Sequence, residues 1–209
     1  MKSAERRTYT MSARADGVVA TRERIARATL RLALGRAYED ITLTEIAQAA
    51  GVSHQTVLNH FESKEGAAIA AAEILRAETG AARDQATPGD VEGAVAILVG
   101  EYERIGDANA RWAISSERLG KLASLLDEAR AGHQEWIRRI FARWLPAAPA
   151  ARRRFVHALH AATDVYTWKL LRRDLRLGRA ETERIMIDLV RGILQGSSAR
   201  PRRAARRDA

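Results

Sequence analysis

The residues with the most chemical content lie in one run, from Thr42 to Val57. Thr42 and Glu45 form a T-x-x-E capping box, in which hydroxyl and carboxylate each satisfy a free amide at a helix start. Ala47 is small enough for two helices to cross closely. Gly51 falls where a tight inter-helix turn needs a positive φ, which glycine adopts freely. Ser53 can cap a second helix by accepting from the amide of Thr56, and Ile46, Val52, Val57 and Phe61 supply a shared core. A small residue, glycine four positions later and an aliphatic residue six after that is helix-turn-helix spacing. The chemistry of such a unit is hydrogen bonding, because its second helix enters a major groove with N-terminal side chains at base edges. The spacing by itself also fits an ordinary αα-hairpin, so the flanking residues must decide.

The elements that position this run read as helices. Sustained period-2 alternation is missing, there are only four prolines, and helical periodicity dominates, so the fold class is all-α. Residues 1–20 have no apolar stripe, hold Arg6, Arg7 and Arg14, and are expected to form a flexible arm. Such an arm can lay Arg14 in a minor groove, or simply be a floppy terminus. From Thr21, a plausible N-cap, Ile25, Ala28 and Leu32 recur until Gly35. Short helices are expected at about 43–50 and 54–61, and Ser63 caps a longer one running to about Asp84. Thr87, Pro88, Gly89 and Asp90 break the chain. After them Val91, Val95, Leu98, Tyr102 and Ile105 form one stripe; Asp107 is expected to cap a separate helix carrying Trp112, and Gly120 to interrupt the pattern before Leu122. His133, Trp136, Ile137, Ile140, Phe141 and Trp144 share one helix. A long helix over about 150–176 and a last one over about 180–195 are apolar on more than one face and must be covered on more than one. Residues 197–209 carry five arginines and no core-forming residue, which predicts a disordered tail.

Composition excludes more than it identifies. The 209 residues include no cysteine, which rules out a disulfide scaffold, a cysteine-ligated zinc site and thiol chemistry. No apolar run approaches the roughly 20 residues of a membrane span, and no apolar segment follows Lys2, Arg6 and Arg7 as in a signal peptide. A cytoplasmic protein without a membrane partner is expected. Net charge is +9, but residues 21–64 carry only +1 while 197–209 carry +4, so the excess charge does not mark the helix-turn-helix. No P-loop, G-x-S-x-G or H-E-x-x-H motif occurs, so neither an enzyme nor a cofactor is expected.

All four tryptophans lie beyond residue 105, and Tyr102 and Tyr166 add to them. Aromatic walls with a few polar groups suit a small-molecule pocket. Tyr102, Trp112, His133, Trp136 and Trp168 sit on separate predicted helices and are the pocket candidates; filling a bundle core is the alternative. His157, His160 and Asp164 share a helix face, but three ligands from one helix make a poor cage, and no metal site is expected. The helices over 150–176 and 180–195 read as a dimer seam, which would set two recognition helices about 34 Å apart to read a palindrome.

The flanks decide the nature of the motif. The helix at 21–35, Tyr38 and the run from Thr56 to Glu65 resemble the DNA-binding domain of the TetR family of bacterial regulators, over residues 21–66. More loosely, the stretches from Tyr102 to Asp107, Gly132 to Trp136 and Ala162 to Asp174 resemble actinobacterial members. The resemblance implies about nine helices in two domains, with a DNA-binding domain at 21–66 and a ligand-binding and dimerisation domain at 67–196. It implies a homodimeric repressor that leaves a palindromic operator when an unidentified small molecule binds. A non-sensing architectural DNA binder, suggested by the arginine tail, is the alternative. Carried onto this chain, Ser53 opens the recognition helix and is itself a DNA-binding candidate, Gln55 and Asn59 offer amides to adenine N6 and N7, and His54 reaches an adjacent base or phosphate. Thr44, Thr56, His60 and Lys64 take phosphate oxygens, Lys64 lying in a first helical turn whose amides favour an anion. The chain departs from the family at Leu58, where a phosphate-touching tyrosine is usual, and at Ala37, where glycine is common. The helix over 64–84 is the natural lever between sensing and DNA release.

Overall fold

The computed structural model describes residues 2–114 and 122–198, with side chains from Asp16 to Ala113 and from Leu122 to Gly196. The expected contact of Arg14, the break at Gly120 and the tail from residue 199 on lie outside those described side chains and residues. Every regular element described is helical and none is a strand. In chain order they are α1 (Lys2–Gly35), α2 (Leu43–Ala50), α3 (His54–Phe61), α4 (Lys64–Arg83), α5 (Val91–Ile114), α6 (Ala123–Ile140), α7 (Pro149–Thr163), α8 (Val165–Lys169) and α9 (Arg179–Ser198). Short 3₁₀ turns at Tyr38–Asp40 and Ala142–Trp144 and a π-turn at Leu170–Asp174 join them. No described helix is long and apolar enough to cross a membrane.

The chain divides into two compact units. One comprises the chain up to Thr79 together with Arg111–Leu126, the other Gly80–Ala110 and the chain from Asp127 on. The core of the first is built from Ile25 and Ala28 of α1, Ile41, Ile46, Ala47 and Ala50, Val57 and Phe61 of α3, and Ala67 and Ala70 of α4. So many alanines let helix backbones approach closely around a few large side chains. Trp112, at the end of α5, belongs to this unit and packs its ring 5.7 Å from that of Tyr38. In the second unit Leu98, Ile137, Phe141, Leu159, Trp168 and Met186 are fully buried. The Trp168 indole lies on bare α5 backbone: a Cβ on Gly106 would come within 2.5 Å of its ring.

Several boundaries differ from the sequence expectation: α6 ends at Ile140, so Phe141 and Trp144 lie beyond the helix expected to carry them, and α9 runs on to Ser198, into the expected tail. α1 runs on from Lys2 through Thr21, which therefore caps nothing. Residues 2–20 hold one glycine and no proline, and their alanines and arginines favour helix. At the described end of this segment Val18 and Val19 are exposed. α5 passes straight through Asp107. That carboxylate does not begin a helix but accepts a fork from Arg173 at 2.9 and 3.0 Å. The helix expected over 150–176 breaks at Asp164, whose backbone is extended (ψ 153°) and whose carboxylate accepts from the amide of Tyr166 to start α8. The π-turn that follows is closed by Leu175 N–H donating to the Leu170 carbonyl at 2.8 Å. It lets neighbouring Arg172 and Arg173 both reach α5, one on Glu103 and one on Asp107.

Candidate nucleic-acid interface

Each device read from the sequence between Thr42 and Ser63 has a physical counterpart. At the start of α2, Thr42 N–H donates to Glu45 Oε2 at 2.9 Å and Glu45 N–H donates to Thr42 Oγ1 at 3.2 Å, closing the capping box. Arg36 donates to the other carboxylate oxygen at 2.9 Å. That bond, with those from Thr42, holds the Glu45 carboxyl down at about 2. α2 ends in a Schellman turn: Gly51 takes φ 65°, its N–H donates to Gln48, and Val52 N–H donates to the Ala47 carbonyl at 3.0 Å. Ser53 then accepts from Thr56 N–H at 3.1 Å and starts α3.

The recognition helix is two-faced. Val57 and Phe61 turn into the core, whereas His54, Gln55 and Asn59 are exposed. Gln55 Nε2 donates to Asn59 Oδ1 at 3.0 Å, one helical turn on. This bond restricts both amides and leaves an acceptor on Gln55 and a donor on Asn59 outside it. Thr44 is exposed in the first turn of α2. Thr56 is half-buried with its hydroxyl 2.8 Å from that of Ser53, and His60 is half-buried beside Phe61. Leu58 is half-buried too, and Ala37 adopts an ordinary extended conformation (ψ 145°), so that turn needs no glycine.

Lys64, a candidate for a phosphate oxygen, has partners within the protein. Its ammonium donates to the carbonyls of Tyr38 at 3.0 Å and Ile41 at 2.9 Å and lies 4.2 Å over the Tyr38 ring. Two of its three donors thus tie the start of α4 to the segment before α2. The corner it anchors is tight. Glu62 has a left-handed φ of 62°, Ser63 Oγ accepts from Gly66 N–H at 3.1 Å, and a Cβ on Gly66 would lie 2.3 Å from the Phe61 carbonyl oxygen.

The sequence reading missed three arginines of α1. Arg24 Nε donates to the Ala50 carbonyl at 2.9 Å and Arg31 to that of Ala49 at 3.3 Å, both at the end of α2. Arg22 donates to the His60 carbonyl near the end of α3, with its guanidinium 4.2 Å over the Phe61 ring. They satisfy carbonyls that a helix end leaves unpaired, and they place cations where the helix dipole is negative. Arg24 and Arg31 are two helical turns apart beside the Ile25 stripe, and that spacing was the available signal.

In the second unit four of the five pocket candidates gather; the fifth, Trp112, belongs to the first unit. Tyr102 donates to the Thr163 carbonyl at 2.9 Å, and Trp136 Nε1 donates to the Arg83 carbonyl at 3.1 Å. Arg83 forks onto Glu101 with two 2.8 Å bonds. It also donates to His133 Nδ1 at 3.0 Å, which leaves Nε2–H to donate to Thr163 Oγ1 at 2.9 Å. Thr163 in turn donates to the Leu159 carbonyl. Burial, and then the Arg83 charge, push His133 down to about 3, so the ring is neutral. Burial pushes the Tyr102 phenol up. Trp168 Nε1 donates to Glu103 at 3.1 Å. All four side chains are buried and hydrogen-bonded, as packed core rather than as an open wall. His160 pairs with Asp164 at 3.2 Å and His157 is exposed, and among the described residues no three such side chains gather around a metal position.

The family model described as bacterial regulatory proteins, tetR family, matches residues 25–80. Comparison with curated proteins found no match. Among solved structures, a tetR-family transcriptional regulator from Streptomyces coelicolor is similar with a TM-score of 0.71 at 19% identity, covering 86% of this chain and 82% of that one. A transcriptional regulator from Rhodococcus sp. Rha1 is similar with a TM-score of 0.62 at 21% identity, covering 86% and 99%. At such identities the structures establish the shared fold, whereas the matched residues contain the whole of α2, the turn and α3. Residues 25–80 thus match the DNA-binding domain of the tetR family, with its helix-turn-helix at α2 and α3, in a chain whose all-helical fold is shared with solved tetR-family regulators.

Proposed function

We propose that the protein is a homodimeric repressor that binds a palindromic operator and is released by a small molecule. The observation that carries this reading is the exposed face of α3, where Gln55 and Asn59 are held one turn apart on a helix whose start and approach angle are fixed by Ser53 and Gly51. Gln55 and Asn59 read bases, and His54, Thr44 and Thr56 serve bases or phosphates nearby. Lys64 and His60 act closer to the framework, Lys64 with one donor left for a phosphate. DNA reading belongs to residues 21–66, effector binding and dimerisation to 67–196, in the cytoplasm where the DNA is.

Support for a second copy comes from the segment over α8, the π-turn and α9, where Tyr166, Leu170, Leu175 and Leu189 are exposed. Large apolar side chains clustered in sequence at a surface suit a self-complementary interface. For the effector, Tyr102, His133, Trp136 and Trp168 are the binding candidates. Because they are packed and hydrogen-bonded, a ligand that enters among them must favour another arrangement of that core, and it shifts the population only by that preference. The test is a mobility shift of the DNA upstream of the protein's own gene against scrambled DNA, repeated across a panel of small molecules. Retarded upstream DNA that one compound releases is expected; equal retardation of both DNAs would overturn the reading.

A further inference from the structure

In the second unit a groove of about 580 Å³ lies among the turn before α5, the 3₁₀ turn after α6 and the last turns of α9. Val91 and Leu194 form a buried apolar floor, the half-buried Trp144 ring forms one wall, and Glu92 and Arg191, which pair with each other, form the opposite rim. Arg143 stands over the Trp144 ring, its guanidinium 3.9 Å from the centroid, and donates one bond to the Gly89 carbonyl at 3.2 Å. Gly89 is in the left-handed region (φ 90°), and a Cβ there would meet that guanidinium at 3.3 Å, so the bare turn makes the room the arginine occupies. Among the described residues Arg143 has no carboxylate partner, unlike Arg172, Arg173 and Arg191. The volume is in the range of small-ligand sites. An apolar floor, an aromatic wall and an unneutralised, ring-oriented guanidinium are together complementary to one kind of molecule.

We infer that this groove binds a small amphipathic monoanion, an aryl or alkyl carboxylate, with its tail over Val91, Leu194 and Trp144 and its carboxylate on Arg143. This goes beyond the proposed repressor function, because none of these side chains is among the effector candidates or in the helix-turn-helix. Guanidinium–carboxylate contact is the bidentate, charge-assisted kind, so removing either charge should weaken binding by about tenfold or more. The experiment is isothermal titration of the full chain with 4-phenylbutanoate and with the neutral 4-phenylbutanol, on the native protein and on Arg143→Gln and Trp144→Leu. Unfolding midpoints of the variants serve as the control for folding. Expected are binding of the acid, at least about tenfold weaker binding of the alcohol, and a similar loss in Arg143→Gln with an unchanged midpoint. No heat from the acid up to its solubility limit, or equal binding of acid and alcohol, would overturn the inference. Trp144→Leu is expected to weaken acid and alcohol alike, and an unchanged affinity in that variant would contradict the aromatic wall.

Discussion

Substituting Gly66 with alanine tests the corner that sets the angle between α3 and α4. The added Cβ would sit 2.3 Å from the Phe61 carbonyl oxygen and 3.3 Å from its carbon, both backbone atoms that no rotamer change can move aside. To reach ordinary contact the carbonyl must retreat by roughly 1 Å. It already accepts from Ser63 N–H and borders Glu62, which holds a left-handed φ, so the corner has little freedom to yield. Overpacking of this kind costs about 1–3 kcal/mol, towards the upper end against rigid backbone. Replacing a helical glycine by alanine returns about 0.5–1 kcal/mol. The net expectation is a loss of about 2 kcal/mol, or a fall of roughly 4–8 °C in unfolding midpoint for a chain of this size. Gly80→Ala is the control: it lies in the same helix with nothing within 4 Å of its added Cβ, and should be neutral or stabilising. Urea denaturation followed by helical circular dichroism measures both. If Gly66→Ala were as stable as Gly80→Ala, the steric account of the corner would be refuted.

Two predictions concern pH and one concerns the helix ends. His133 is held neutral, its value lowered from 6.5 to about 3, so the unfolded chain binds a proton in that window that the folded chain refuses. Stability is therefore full above about 6.5 and falls as pH drops towards 3, by up to about 1.4 kcal/mol per pH unit from this group; His133→Gln should flatten that slope in acid unfolding series. Glu45 has the opposite chemistry but the same sign: its carboxyl is lowered from 4.5 to about 2, so its contribution is present above 4.5 and disappears as pH falls through 2. Glu45→Gln should remove that acid-sensitive portion while leaving the rest of the curve intact. Arg24→Ala strips a cation from the end of α2 and should lower stability by about 0.5–1.5 kcal/mol, read in the same urea titrations; no change would mean the carbonyl of Ala50 is equally well served by water.

Much of the DNA-reading end was legible in the sequence because its devices are local. A capping box, a left-handed glycine and a serine cap each act over three or four residues, and Thr42, Gly51 and Ser53 play these parts in the fold. What sequence alone did not disclose was long-range. The bonds of Lys64 within the protein were not legible because its partners, the carbonyls of Tyr38 and Ile41, are backbone groups more than twenty residues away. Trp112 was expected on a separate helix starting at Asp107, but α5 continues past Asp107 and carries it to a contact with Tyr38 in the first unit. The break at Asp164 was hidden because apolar periodicity runs across it. Arg172 and Arg173, in the π-turn, pair with acids of α5 that a local reading does not bring near them.

Base reading by α3 through Gln55 and Asn59 is the central proposal for this protein. Its most direct test is selection of duplexes from a random pool by the full chain, followed by titration of the selected and scrambled duplexes with the native protein and Gln55→Ala. The expected result is an inverted repeat whose half-sites lie about one helical turn apart or a multiple of it, with Gln55→Ala losing roughly 1–3 kcal/mol on the selected duplex and almost nothing on the scrambled one. A pool that yields no common sequence, or a variant that loses equally on both duplexes, would contradict it.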